Sequence, residues 1–150
     1  MDIPQLLLKN QICFPIYASS RIITQMYHPY LQPLGITYPQ YLVFLLLWEE
    51  DKRNVSDIGK CLLLESNTLS PLLKRLEEKK FIERKRILDD ERQVEISLTT
   101  LGKELKEKCK NIPLKIIENF NPKDFNMKDI ENLKLILDKI LNNSKLNTIK

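Results

Sequence analysis

Glycine is scarce, at three of 150 residues, and proline numbers eight. That supply excludes a collagen repeat, a flexible-linker chain and a large all-β architecture, each of which consumes many turn-forming residues. A single histidine, His28, excludes the usual His-based triad combined with metal ligands, so no metal or cofactor is expected. Cysteine is odd in number, at Cys13, Cys61 and Cys109, with no Cys-x-x-Cys pair. Neither a zinc site nor a disulfide framework is therefore indicated, and a reduced, cytoplasmic setting is expected. The longest apolar run, Tyr41 to Trp48, has eight residues, far short of the roughly 20 that cross a bilayer. Asp2 stands where a secretory leader carries basic residues, so neither a leader nor a membrane partner is expected. Lysine and arginine outnumber aspartate and glutamate by 24 to 20, a net charge of +4 that establishes no nucleic-acid partner by itself. What remains is an ordinary globular composition, 43% hydrophobic and 29% charged, sized for one domain with a real core.

Helical periodicity dominates both ends. Apolar residues recur at three- and four-residue steps from Leu6 to Leu31, with Pro15 expected to kink or restart the helix. Thr37 reads as an N-cap and Gln40 as its capping-box partner, opening a helix from Tyr38 to about Glu50 that is apolar nearly all round. A short helix from about Ser56 to Leu63 is followed, after Leu64-Glu65-Ser66, by another from about Asn67 to Lys80 with Leu69, Leu72, Leu73 and Leu76 as its stripe. The period then changes. Phe81 to Arg86 and Val94 to Leu98 alternate as strands, with Ile87 to Gln93 as a polar tip between them. Thr99 caps a helix expected to run from Thr100 to about Asn119, and Asn126 with Asp129 opens a last one to about Asn142. Residues from Asn143 on read as a frayed tail.

Two short helices at a tight turn, followed by a basic two-stranded ribbon, outline a winged helix-turn-helix. The expected fold is mainly α with a small β-hairpin wing. A helix whose first turns present Ser66, Asn67, Thr68 and Ser70 offers hydroxyl and amide groups to base edges and phosphates, and its N-terminal dipole favours phosphate. Lys74 to Arg92 holds eight basic and six acidic residues, with Arg84-Lys85-Arg86 the densest basic cluster. A ribbon tip with one arginine suits a narrow minor groove.

The stretch Asp90 to Thr99 carries the pattern D-x-R-x5-L-T and resembles the wing of MarR-type regulators. The likeness continues through Leu69-Ser70-Pro71-Leu72-Leu73-Lys74-Arg75-Leu76-Glu77. Asn10-Gln11-Ile12-Cys13-Phe14 with Tyr17, and Thr37 to Tyr41, are similar to the OhrR-type branch, the one-cysteine organic-hydroperoxide sensors. The resemblance runs from about Asn10 to Pro113. It implies a homodimer built from residues 1–33 and 100–142, a winged helix-turn-helix over 37–99, and a palindromic double-stranded operator released on oxidation. It also implies DNA contacts from Lys74, Arg75, Arg84, Arg86, Asp90 and Arg92, and a sensor pocket of Phe14, Tyr17, Tyr27 and Tyr38 around Cys13. Glu65 and Asn67 depart from the branch, which shows a shorter acidic residue and often a glycine there, so the operator sequence does not carry over.

On its own chemistry, Cys13 lies just before the expected helix restart, where the dipole favours an anion, and Tyr17 is one turn away on the same face. Tyr27 is 14 residues further on, about 21 Å along a straight helix, so it meets Cys13 only across an antiparallel dimer or a broken helix. The alternative for Cys13 is a small buried hydrophobe. Cys61 reads as packing, and Cys109, flanked by Lys108 and Lys110, as a thiol in a basic setting. The expected function is a repressor released when organic hydroperoxide oxidises Cys13, with a small cellular thiol as a further partner through a mixed disulfide. Two rivals stand beside it: release by a small phenolic ligand or another thiol modification, and a thiol peroxidase. An enzyme is not expected, because no arginine and threonine constellation surrounds the thiol.

Overall fold

The computed structural model describes residues 3–87, 90–120 and 126–143, with side chains throughout except at 87 and 90–92. After two 3-10 turns, Pro4–Leu6 and Leu8–Asn10, helix α1 runs unbroken from Cys13 to Leu31. Pro15 neither kinks nor restarts it. The helix simply begins two residues earlier, so the donor proline lacks falls in the first turn, where no partner exists for it. A 3-10 turn, Gln32–Leu34, ends at Gly35 in the left-handed region (φ 71°).

Helix α2 (Tyr38–Glu49) starts from the expected capping box, in which Gln40 Oε1 accepts from the Thr37 amide at 3.0 Å. Its Tyr41, Val43, Phe44 and Leu47 are fully buried, as a helix without a polar face requires. Helices α1, α3 (Val55–Leu62), α4 (Ser66–Glu78) and α5 (Thr100–Cys109) all pack on it. Leu69, Leu73 and Leu76 of α4 and Ile58 of α3 complete this core, each full burial being worth about 1.5–3 kcal/mol.

The wing is a three-stranded antiparallel sheet in the order β1-β3-β2, with β1 at Arg53–Asn54, β2 at Ile82–Ile87 and β3 at Asp90–Leu98. Two features depart from the expected hairpin. A short third strand pairs Arg53 with Ile96, and the ribbon extends to Ile87 and Asp90 past a register shift after Arg86. The charges of Lys85 and Arg86 do not prevent this, because both side chains are exposed and the backbone ladder carries the pairing. Ile82, Ile96 and Leu98 face inward. Arg84, opposite Ile96, shares that face and is half-buried, whereas Lys85, opposite Glu95, points the other way.

The helix expected over Thr100 to Asn119 is two: α5 stops at Cys109 and α6 spans Ile112–Glu118. Pro113 accounts for the break, since a helix continuing through it would press its ring on the carbonyl of Cys109, four residues back. Residues up to Ile112 form one compact unit and those from Pro113 on a second. The second contains α7 (Met127–Asn143), opened as expected by Asn126 and Asp129, each accepting from the other's amide at 3.1 and 3.0 Å. No residue of α7 is buried, and its stripe residues Met127, Leu133, Ile140 and Leu141 are exposed.

Candidate nucleic-acid interface and thiol site

Helix α4 is held by Leu69, Leu72, Leu73 and Leu76, which turns its opposite face outward. Ser66, Asn67, Thr68, Ser70, Lys74 and Arg75 are all exposed there. The turn before α4 is built without glycine. Leu63 adopts the left-handed region (φ 53°), letting the Leu64 amide donate back to the Gly59 carbonyl at 2.9 Å. On the wing, Arg86 is exposed beside half-buried Arg84; the side chains of Asp90 and Arg92 lie outside the described residues, although their backbones belong to β3.

Two groups that the sequence reading passed over fix the wing to the body. Asp51 accepts from the Leu98 amide at 2.8 Å and faces the Lys103 ammonium at 3.7 Å, tying the end of β3 to the loop after α2. Gly102 donates its amide to the Thr99 hydroxyl (3.1 Å), and a Cβ there would collide with the Phe81 carbonyl oxygen. The step of three between Thr99 and Gly102 was the available signal for the cap; the close approach of Phe81 had none.

Cys13 is exposed at the first position of α1. Phe14 and Tyr17 beside it are also exposed, at 46% and 60%. The Tyr17 hydroxyl accepts from Arg21 at 3.4 Å, with the guanidinium 5.7 Å from the ring centre. Tyr27 and Tyr38 lie elsewhere, packed on each other at 4.7 Å between ring centres. Tyr41 joins them, 5.7 Å from Tyr27 and 6.4 Å from Tyr38. Burial raises the pKa of all three phenols, with the Tyr41 phenol also facing Tyr27, Cys109 and Tyr38 and pushed up to about 12. All three therefore stand as neutral O–H donors at physiological pH. Because α1 is continuous, about 21 Å of helix separates Cys13 from Tyr27. One chain brings the tyrosines together and leaves the thiol apart.

The other two thiols differ. Cys61 is exposed on α3. Cys109 is buried, and burial pushes its pKa up to about 11; Lys110 is paired with Glu107 at 2.7 Å, so the basic flanks do not lower it. Near the tyrosines, a cavity of about 380 Å³ opens between Thr24, His28, Leu31, Ile36, Thr37 and Tyr38. Among the described residues no cluster of histidine, cysteine or carboxylate could hold a metal ion, and no helix is long and apolar enough to cross a membrane.

The model of the family described as transcriptional regulator SarA/Rot matches residues 25–109, from the middle of α1 through the wing to the end of α5. The chain belongs to this family of transcriptional regulators. It is similar to the organic hydroperoxide resistance transcriptional regulator of Bacillus subtilis, 55% identical over 106 residues, 71% of this chain and 72% of the relative. Among solved structures it resembles reduced AbfR of Staphylococcus epidermidis bound to DNA, at 39% identity and a TM-score of 0.73, covering 94% of this chain and 99% of that one. Wild-type MarR of E. coli shares the fold at 24% identity and a TM-score of 0.68, covering 87% and 96%. The family consists of regulators, so the chain is not an enzyme, and the winged helix-turn-helix architecture read from the sequence is the one found.

Proposed function

We propose that the chain acts in the cytoplasm as a homodimeric repressor that binds a palindromic operator and lets go when an organic hydroperoxide oxidises Cys13. One observation carries the reading: an exposed thiol and a cluster of neutral phenols sit at opposite ends of one unbroken helix. A second copy, with its first helix antiparallel to this one, completes the site. The exposed apolar residues Ile12, just before α1, and Phe14 and Ile16 within it, together with the exposed stripe of α7, supply surface for such a dimer. In this arrangement residues 1–33 and 100–142 dimerise, and residues 37–99 read DNA. Ser66, Asn67, Thr68, Ser70, Lys74 and Arg75 serve the major groove and its phosphates, and Arg84, Arg86, Asp90 and Arg92 serve the wing. The likeness to a regulator named for organic hydroperoxide resistance, and to a DNA-bound regulator solved in its reduced state, supports the same reading.

The Cys13 thiolate attacks the terminal peroxide oxygen; an S–O bond forms as the O–O bond breaks, and the alkoxide leaves as an alcohol after taking a proton. Sulfur is oxidised by two electrons to sulfenic acid, and the peroxide is reduced. A small cellular thiol then displaces water to give a mixed disulfide. Phe14, Tyr17, Tyr27 and Tyr38 form the pocket, the phenols donating to the oxidised sulfur. Cys109, buried and protonated, takes no part.

A second reading, release by a small phenolic ligand, draws on the cavity beside Tyr38. Mass spectrometry of Cys13 alongside a DNA-binding assay on the same sample, with a duplex from upstream of the protein's own coding sequence, tests the first. One oxygen added at Cys13 together with loss of binding is expected after cumene hydroperoxide. Release with Cys13 unmodified would favour the ligand reading instead.

A further inference from the structure

Helix α2 places Tyr38, Tyr41, Phe44 and Trp48 at steps of three, three and four, along one side. Its upper end meets Tyr27 of α1 through Tyr38 and Tyr41. At the lower end Tyr41 meets the edge of Trp48, with ring centres 6.1 Å apart. Trp48 then makes two contacts toward the wing. Its indole N–H donates to the Gly102 carbonyl at 3.0 Å, in the first turn of α5. Its ring stacks on Phe44 at 5.4 Å, and Phe44 meets Phe81 edge-on at 5.6 Å. Phe81 immediately precedes β2, and its carbonyl accepts from the Thr99 amide at 3.1 Å while blocking any side chain at Gly102. The indole thus touches the tyrosine cluster and the start of α5 directly, and reaches the entrance to β2 through Phe44, all within the first compact unit. Trp48 is the sole tryptophan in the chain.

We infer that Trp48 is a positioning residue that ties the tyrosine cluster to the base of the wing, so that a rearrangement of Tyr27 and Tyr38 on sensing moves β2 and the start of α5. This rests on the reading of Cys13 as the peroxide sensor. A close-packed interior shifts between discrete arrangements and does not yield continuously. A displaced Tyr41 ring is therefore taken up by the indole, which is anchored at its N–H to the Gly102 carbonyl at 3.0 Å. Adjacency by itself is not coupling, so the test must read coupling.

The sole tryptophan supplies an optical probe in the unaltered full-length protein. With one equivalent of cumene hydroperoxide per chain, its emission is expected to shift in step with oxygen uptake at Cys13, and Cys13→Ser is expected to abolish the shift. In Trp48→Phe, the reduced protein is expected to bind the upstream duplex within about threefold of wild type and to oxidise at an unchanged rate. The weakening of DNA binding on oxidation, on the order of 5–150-fold for an ordinary allosteric coupling, is expected to fall below about threefold. Oxidation of Cys13 with DNA released and emission unchanged would overturn the inference, as would a Trp48→Phe protein that releases DNA like wild type. If Cys13 takes up no oxygen, the sensor reading itself fails and the inference falls with it, a result distinct from oxidation without an optical change.

Discussion

Cys109 shows how little a residue's sequence neighbours say about its chemistry. Lys108 and Lys110 flank it, yet it sits with Gly102 and Leu105 on the inner side of α5, buried to 2% exposure, and its pKa rises to about 11. The steps of three and four linking those positions carried the information; the charges beside them did not. Iodoacetamide at pH 8 should therefore alkylate Cys13 and Cys61 in the native protein and reach Cys109 only after unfolding, as peptide mass mapping would show. The raised value also fixes a pH dependence. The folded state holds this proton longer than the unfolded chain does. The stabilisation is thus fully present below pH 9 and is lost as pH climbs toward 11. Unfolding free energies from urea titrations should fall across that window by an amount on the order of 2 kcal/mol, and Cys109→Val should flatten that part of the decline.

At the scale of elements, the shortage of glycine leaves a mark. Leu63 and Lys80 occupy the left-handed position that closes α3 and α4, at φ 53° and 60°, where glycine is the usual resident. Leu63→Gly should raise thermal stability by up to about 1 kcal/mol, because relief of left-handed strain exceeds the entropy that glycine costs. Gly102→Ala should do the reverse, lowering stability by roughly 3 kcal/mol or more as its methyl meets the Phe81 carbonyl. The caps at Thr37, Thr99 and Asn126 were legible in the sequence because their partners lie three residues away. Strand β1 was not, since Arg53 and Asn54 become a strand only by pairing with Ile96 and Glu95, some 40 residues on. The break before α6 escaped because Pro113 acts four residues upstream of itself. Trp48 and Tyr41 were hidden differently: a helix apolar on every side shows no stripe by which to tell its faces.

At the scale of the whole molecule, the candidate site was half legible. Cys13 and the exposed polar residues of α4 stand out by type and spacing, whereas the distance between thiol and phenols became decisive only once α1 proved continuous. The proposed pocket, divided between the two ends of α1, requires a second copy, so sedimentation of the reduced protein should give about twice the 17.7 kDa chain mass, and a monomer that still responds to peroxide would dismantle the shared pocket. The central claim, that oxidation of this one sulfur governs DNA binding, has a direct measurement: affinity for the upstream duplex, in wild type and Cys13→Ser, before and after cumene hydroperoxide. Both proteins should bind when untreated, and only wild type should let go. A Cys13→Ser protein that dissociates in peroxide, or an oxidised wild type that holds the duplex as tightly as before, would contradict it.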